Sequence, residues 1–511
     1  MNIDTPRRPF EDMPSINATA VNTPAGPSRA GSPSLKDIEK GETTSATSNK
    51  ANKVDGEVHI RPAKTKHMTE SDKVEYLTHQ VEHGEKKFHK LGWIQLVVIL
   101  IVEAIALGSL SLPAAFATLG MVPGVLITVG IGMLAIYTSY VIGQVKIKFP
   151  QVKHYDDVGP LLGGQGLLGK VFRGLLTFGF VAYLICLVGS HCLTGTIAFQ
   201  TITQVEVCSI VWSVVSMVLL FLCALPPSFA DMAILGYIDF VSIIAAILIT
   251  LIATGIKANN QVGSFAAVDW SAWPKEGTTF SHAMVAVSNV VFAYSFAICQ
   301  FSFMEEMHTP KDFKKSVWVL GITEIIIYTC TGALGYAFIG QGVKAPALLS
   351  AGGTVSRIAF GVAIPVIIIS GSINTVTAGR FTLDKFFTNS TIRYVSDVRG
   401  WAVWVGWAVI ASIVAWIIAE AIPFFSDLLA IISALFISGF SFYVPGFMWF
   451  KLVKEGKWNK GWRNIMLSAL NTVCIVIGVI CLVCGTYGAV EDIKLSYEHG
   501  TIGTPFSCNK T

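Results

Sequence analysis

Charge is what this 511-residue chain has least of: Asp, Glu, Lys and Arg make up 14% of it, against about a quarter of an ordinary soluble domain. The shortage is local. Residues 1–92 hold 27 charged residues, whereas the remaining 419 hold 43. A change of solvent near Leu91 follows, water before it and lipid after it. Cysteine offers no framework either. Eight of the ten (Cys186, Cys192, Cys223, Cys299, Cys330, Cys474, Cys481 and Cys484) fall inside apolar runs, where a free thiol behaves as a small hydrophobe. Only Cys208 and Cys508 lie near expected outside segments, and a bridge between them is open. No His or Cys spacing suggests a metal. The intramembrane residues hold no HExxH, no nucleophile–base pair and no cofactor fingerprint, so an enzyme is not expected. They hold no repeated filter or charged ring, which argues against a channel. Nothing points to nucleic acid.

Apolar runs of about 20 residues are what the chain has instead, the length that crosses a hydrocarbon core of ~30 Å. They fall at about 93–118, 122–145, 171–200, 209–226, 233–256, 281–303, 316–340, 355–379, 401–420, 424–449 and 464–488. Lipid offers the backbone no hydrogen-bond partner, so such spans must be helices. Lys and Arg then set their direction. With the amino terminus in the cytosol, the even-numbered loops hold 17 of them and the opposite side holds six. That bias supports eleven spans, because losing one would invert every later loop. The expected division is a disordered cytosolic regulatory tail over 1–92, a transmembrane domain over 93–488 and a short extracytoplasmic tail over 489–511. No apolar run opens the chain, so the first span serves as insertion signal. Residues 68–90 read as an amphipathic helix or as an extended linker.

Two spans look interrupted. The first reads Glu103-Ala-Ile-Ala106-Leu107-Gly108-Ser109-Leu110-Ser111-Leu-Pro113. A glycine, two serines and a proline at mid-membrane make a poor continuous helix, although a simple proline kink is the plain alternative. The sixth reads Asn289-Val-Val-Phe292-Ala293-Tyr294-Ser295-Phe296, mixing small, polar and aromatic residues in the same way; close helix packing would use the same residues. The two lie five spans apart, in matching places of two five-helix halves, and paired interruptions point to a transporter's binding site. Freed N–H groups suit a carboxylate and freed C=O groups suit an ammonium. An amino acid fits both.

The residues at these two places carry a resemblance. Gly108-Ser-Leu-Ser-Leu-Pro113-Ala-Ala-Phe116 resembles the first-helix motif of the amino acid/auxin permease (AAAP) family. Phe292-Ala-Tyr-Ser, followed by Glu306-Met-His-Thr-Pro310-Lys-Asp312-Phe313, resembles its sixth helix and the loop after it. The likeness covers roughly residues 88–490 and is nearest to the fungal neutral and aromatic amino acid permeases. It implies an all-α membrane protein of eleven transmembrane helices. The fold implied is the five-plus-five inverted repeat of the APC superfamily (LeuT-like), with broken helices 1 and 6 and one extra helix, performing proton-coupled uptake. Many relatives carry Gly-x-Gly at the first break, whereas Ala106 stands here two residues before Gly108.

Ionisable residues inside a membrane are functional candidates by default. Glu103, one turn before the first interruption, is the candidate for proton coupling; the alternative is a buried glutamate that stabilises the break. Asp239, Glu324 and His191 read mainly as packing or polar contacts. Ser370, Asn374 and Thr375 of the eighth span form a polar or ion site, or simply allow close packing. Tyr183 covers the substrate or belongs to the core. Glu305 and Glu306 read as an ion-pair cluster beside Lys311, Lys314 and Lys315, and Asp427 reads as solvated. The sequence thus suggests a plasma-membrane symporter that moves neutral aliphatic or aromatic amino acids with a proton, less readily sodium. The substrate would meet residues 106–110, Tyr183, residues 292–296 and Ser370. A vacuolar location, and an amino acid sensor signalling through its tail, are the alternatives. Ser32 and Lys36, Lys40, Lys50 and Lys53 offer the tail to a kinase or a ubiquitin ligase; an unmodified solubilising tail reads equally well.

Overall fold

The computed structural model describes residues 92–227, 229–261, 268–387, 390–498, 506 and 508, without the side chains of 99, 102, 103, 229–234 and 391. The tail, the segment 68–90 and its modification sites lie outside the described residues, and so does the Glu103 side chain.

Helices account for nearly all that is described. Leaving aside the six-residue helix Val158–Gly163 and the short 3-10 turns, in chain order they are α1 (Trp93–Leu119), α2 (Met121–Lys148), α3 (Leu167–Thr203), α4 (Ser209–Cys223), α5 (Phe229–Gln261), α6 (Phe280–Ala293), α7 (Gln300–Glu305), α8 (Phe313–Ile339), α9 (Gly353–Phe386), α10 (Val398–Ala421), α11 (Phe425–Val453) and α12 (Trp462–Glu498). Among the described residues, eight helical stretches are long and apolar enough to cross a membrane, and Ala104–Leu119, Ser209–Cys223 and Phe280–Ala293 are shorter apolar helices. Together they fall on the eleven expected segments. Exposed Val, Ile and Leu side chains line the outer faces of α5, α10 and α12, where lipid rather than water is the fitting solvent.

α9 and α11 are the most enclosed spans. α9 packs along α3 and α5, α8 along α1 and α2, and α6 against α1, α11 and α12. The interface residues are small, so backbones approach closely. Gly195 faces Ser216 across α3 and α4, Gly371 faces His191 across α9 and α3, and Gly321 faces Ile136 across α8 and α2. α11 departs from α-geometry over Ser433–Tyr443 and Trp449–Val453, where it widens into π-turns.

α1 corrects the sequence reading: it is continuous through Gly108–Pro113. The serines add order instead of a break. Ser109 Oγ donates to Ile105 O at 2.6 Å and Ser111 Oγ to Gly108 O at 2.9 Å, which satisfies their hydroxyls inside the helix. The Pro113 ring lies where a Cβ on Gly335 of α8 would stand 2.8 Å from its Cγ. The sixth span, by contrast, is interrupted. α6 stops at Ala293 and α7 starts at Gln300.

Cys208 and Cys508 are joined by a disulfide, which fastens the C-terminal end to the start of α4. The loops rich in Lys and Arg gather at the opposite end of the bundle, the basic end below.

Candidate functional site

The interruption between α6 and α7 is short and buried. Tyr294 N–H donates to Val291 O, Ile298 N–H to Ser295 O and Gln300 N–H to Ala297 O, all across three residues. The N–H groups of Ser295, Phe296 and Ala297 find no backbone carbonyl among the described residues. Ser295 is 4% exposed, Phe296 1% and Ala297 0%, so these donors are removed from water, where an unmade hydrogen bond costs about 1–3 kcal/mol.

Three neighbours hold the interruption in place. α1 crosses it at Gly108, where a Cβ would stand 2.8 Å from Ala293 Cα. Only glycine allows that approach. Tyr328 of α8 donates its hydroxyl to Ala293 O at 2.9 Å, closing a carbonyl that the helix end leaves open. Its ring meets Tyr294 edge-on, with centroids 5.1 Å apart. α7 is pinned to α2 by Gln300, whose Nε2 donates to Ser139 O at 3.0 Å while Ser139 Oγ donates back to Gln300 Oε1.

The expected site residues divide accordingly. Gly108 and Ala293 meet at the crossing, and Ala106, Leu107, Ser109, Leu110, Phe292, Ser295 and Phe296 are buried on the same elements. Tyr294 turns toward α2 and α8, against Gly132, Ile325 and Tyr328. Tyr183 is buried in α3 and packs on Phe436 of α11, centroids 6.5 Å apart. Ser370 of α9 faces His191 of α3, Oγ to Nε2 3.4 Å. Asn374 Nδ2 donates to Ser370 O at 3.1 Å and Thr375 Oγ1 to Gly371 O at 3.4 Å, while Asn374 Oδ1 is buried without a partner among the described residues.

Other charges follow the sequence reading only in part. Asp239 makes no polar contact between helices: it is fully buried, and neither carboxylate oxygen has a hydrogen-bond partner among the described residues. Glu324 lies in electrostatic reach of Tyr294 and Tyr328, which brings it to the interruption. Asp427 is 5% exposed rather than solvated, because α11 starts inside the bundle beside Asp492. Glu305 does form an ion-pair cluster, but with Lys146 and Lys153, and Glu306 stands 4.0 Å from Arg380; Lys315 pairs with Asp312 instead. Tyr328 and Gln300 were not singled out from the sequence. Each sits in an apolar stretch, and only the crossing of α8 and α2 with the interrupted span gives it a role.

A bundle of apolar helices, one of them interrupted at mid-course with buried backbone donors that find no carbonyl among the described residues, is the construction of a multi-pass membrane transporter. Comparison with known proteins agrees. Residues 89–491 match the family described as transmembrane amino acid transporter protein. The chain is 56% identical over 431 residues to the N amino acid transport system protein of Neurospora crassa, covering 84% of this chain and 90% of that one. It is 24% identical over 432 residues to a transmembrane transporter of Fusarium pseudograminearum, covering 83% and 88%. Among solved structures, MhsT in complex with L-phenylalanine superposes with a TM-score of 0.50 at 11% identity, over 79% of this chain and 98% of that one. The chain belongs to the transmembrane amino acid transporter family, the amino acid/auxin permeases, and is a transporter of amino acids rather than an enzyme.

Proposed function

We propose that this transporter carries neutral amino acids, aliphatic and aromatic, into the cell together with a proton, by alternating access. The observation that carries the reading is the group of buried N–H donors at Ser295, Phe296 and Ala297. They suit a substrate carboxylate and bring no cation that would demand a second acidic group. Because α1 is continuous, the ammonium acceptor is sought on the helices around it. Asn374 Oδ1, on a helix that packs against α1, is an acceptor without a partner among the described residues. Phe292 and Phe296 give the substrate side chain an apolar wall.

In this reading the eleven helical segments all cross the membrane, and the basic end faces the cytosol, following the excess of Lys and Arg there. The Cys208–Cys508 bridge at the other end fits an oxidising exterior, which supports a place in the plasma membrane. Glu103 is the proton-coupling residue, and the proton, not sodium, is the co-substrate.

Counterflow with the purified chain in vesicles tests the substrate class. Vesicles preloaded with one neutral amino acid are expected to exchange it for labelled neutral aliphatic and aromatic amino acids, and to exchange lysine and glutamate at least tenfold more slowly. Equal exchange of lysine or glutamate would overturn the assignment.

A further inference from the structure

The basic end of the bundle holds two neighbouring carboxyl groups in unequal surroundings. α7 ends in Glu305, and Glu306 follows it. Glu305 is well paired, with Lys146 Nζ at 2.5 Å and Lys153 Nζ at 3.2 Å. Glu306 is 7% exposed, and its ion-pair partner, Arg380 Nη2 of α9, stands 4.0 Å away. Arg380 is itself shared, since its Nη1 donates to Arg393 O at 2.9 Å. Asp384, one turn further along α9, takes Arg393 at 3.2 Å and His154 at 3.2 Å. His154, from the α2–α3 connection, also reaches Ser302 Oγ of α7 at 3.0 Å. The cluster therefore ties α7 to α2, to the α2–α3 connection and to α9, at the end of the span whose other side is the interruption.

We propose that Glu306 is a proton-binding residue of the transport cycle: it holds a proton while this cluster ties the end of α7 to α9, and gives it up when the tie opens and water enters. The O–H bond of the carboxyl breaks, the proton passes to water at the basic end, and the carboxylate stays behind. The proposal rests on the reading of this end as the cytosolic mouth. It adds a release site to the coupling assigned to Glu103.

Electrostatics supports the geometry. The Glu306 carboxyl is pushed up to about 8 in all: burial raises it most, the attraction of Arg380 lowers it, and Asp384 and Glu305 raise it. Desolvation outweighs a pair held at 4.0 Å, so the ion pair does not keep the group charged. Solvated, the same carboxyl returns to the ordinary value of a glutamic acid, about 4.3. The closed cluster thus binds more protons than the open one between those values. Its advantage is full below the lower value and is lost as pH rises through about 8. The other charges facing Glu306 are Glu305, with Lys146 and Lys153 beyond it, and Asp384, with His154 and Arg393 beyond it.

Hydrogen exchange of the full chain in nanodiscs reads this opening without relying on transport. The protection factor of the amides of residues 300–306, already corrected for intrinsic exchange, is expected to rise on the order of tenfold from pH 8.5 to 6.5 in the native chain. In Glu306→Gln it is expected to be independent of pH. In Glu306→Asp the dependence is expected to survive. A native profile that is flat, or one that Glu306→Gln leaves in place, would overturn the proposal. If Glu306→Gln does not fold, Arg380→Gln is expected to move the midpoint to higher pH, and an unmoved midpoint is equally fatal. Amino acid exchange in vesicles, run alongside, reports on the transport reading separately: its absence would sink that reading while the protection factors still decide the fate of Glu306.

Discussion

One methyl group marks how closely α1 and the interrupted span approach. At Gly108 it would meet Ala293 Cα at 2.8 Å and Ala293 Cβ at 3.0 Å, and backbone cannot move aside as a flexible side chain can. Gly108→Ala is therefore expected to cost about 1–3 kcal/mol through overpacking, seen as a lower unfolding temperature in detergent. It should also reduce exchange more than tenfold, because Ala293 borders the donors of residues 295–297. A variant with native stability and native exchange would show that this crossing is not part of the site. At this scale the sequence was partly readable. Gly108, Ala293 and Phe296 stood out by residue type in mid-span. The direction of Tyr294 did not, because a tyrosine beside a helix end can turn to either side, and here Gly132 and Tyr328 decide it. Asp239 and Glu324 were visible as costly charges, but whether a partner waits for each is a property of the packing alone.

At the scale of elements, the two interruptions expected from the sequence turned out different in kind. Tyr294–Cys299 breaks its span because Tyr328, Gln300 and Gly108 supply contacts that hold the two halves apart. Gly108–Pro113 stays helical because its serines bond back to the helix and Gly335 makes room for the proline ring. Composition cannot separate these cases, since both segments carry small and polar residues in an apolar run. Neighbouring helices decide. Pro113→Ala restores an N–H to a helix that is already continuous, and proline in a helix interior costs about 3 kcal/mol. The unfolding temperature of this variant is expected to stay level or rise. A fall of several degrees would show that the proline maintains a distortion that the continuous helix does not need.

For the whole molecule, the apolar pattern placed the helical segments well, because lipid permits a long apolar run no conformation but helix. The distribution of Lys and Arg located one end of the bundle, and the cluster of Lys146, Lys153, Arg380, Glu305 and Glu306 lies there. The partners within that cluster were not legible, since they come from α2, the α2–α3 connection and α9 and are brought together only by the fold. Proton-driven accumulation of a neutral amino acid, as proposed, is a property of the whole cycle and needs a whole-cycle measurement. Vesicles holding the purified chain are given an inward proton gradient, an inward sodium gradient, or neither, and net uptake of a labelled neutral amino acid is followed. The expected result is accumulation well above equilibrium with the proton gradient alone, abolished in Glu103→Gln while counterflow persists. Accumulation driven by sodium, or equilibration without accumulation under every gradient, would contradict it.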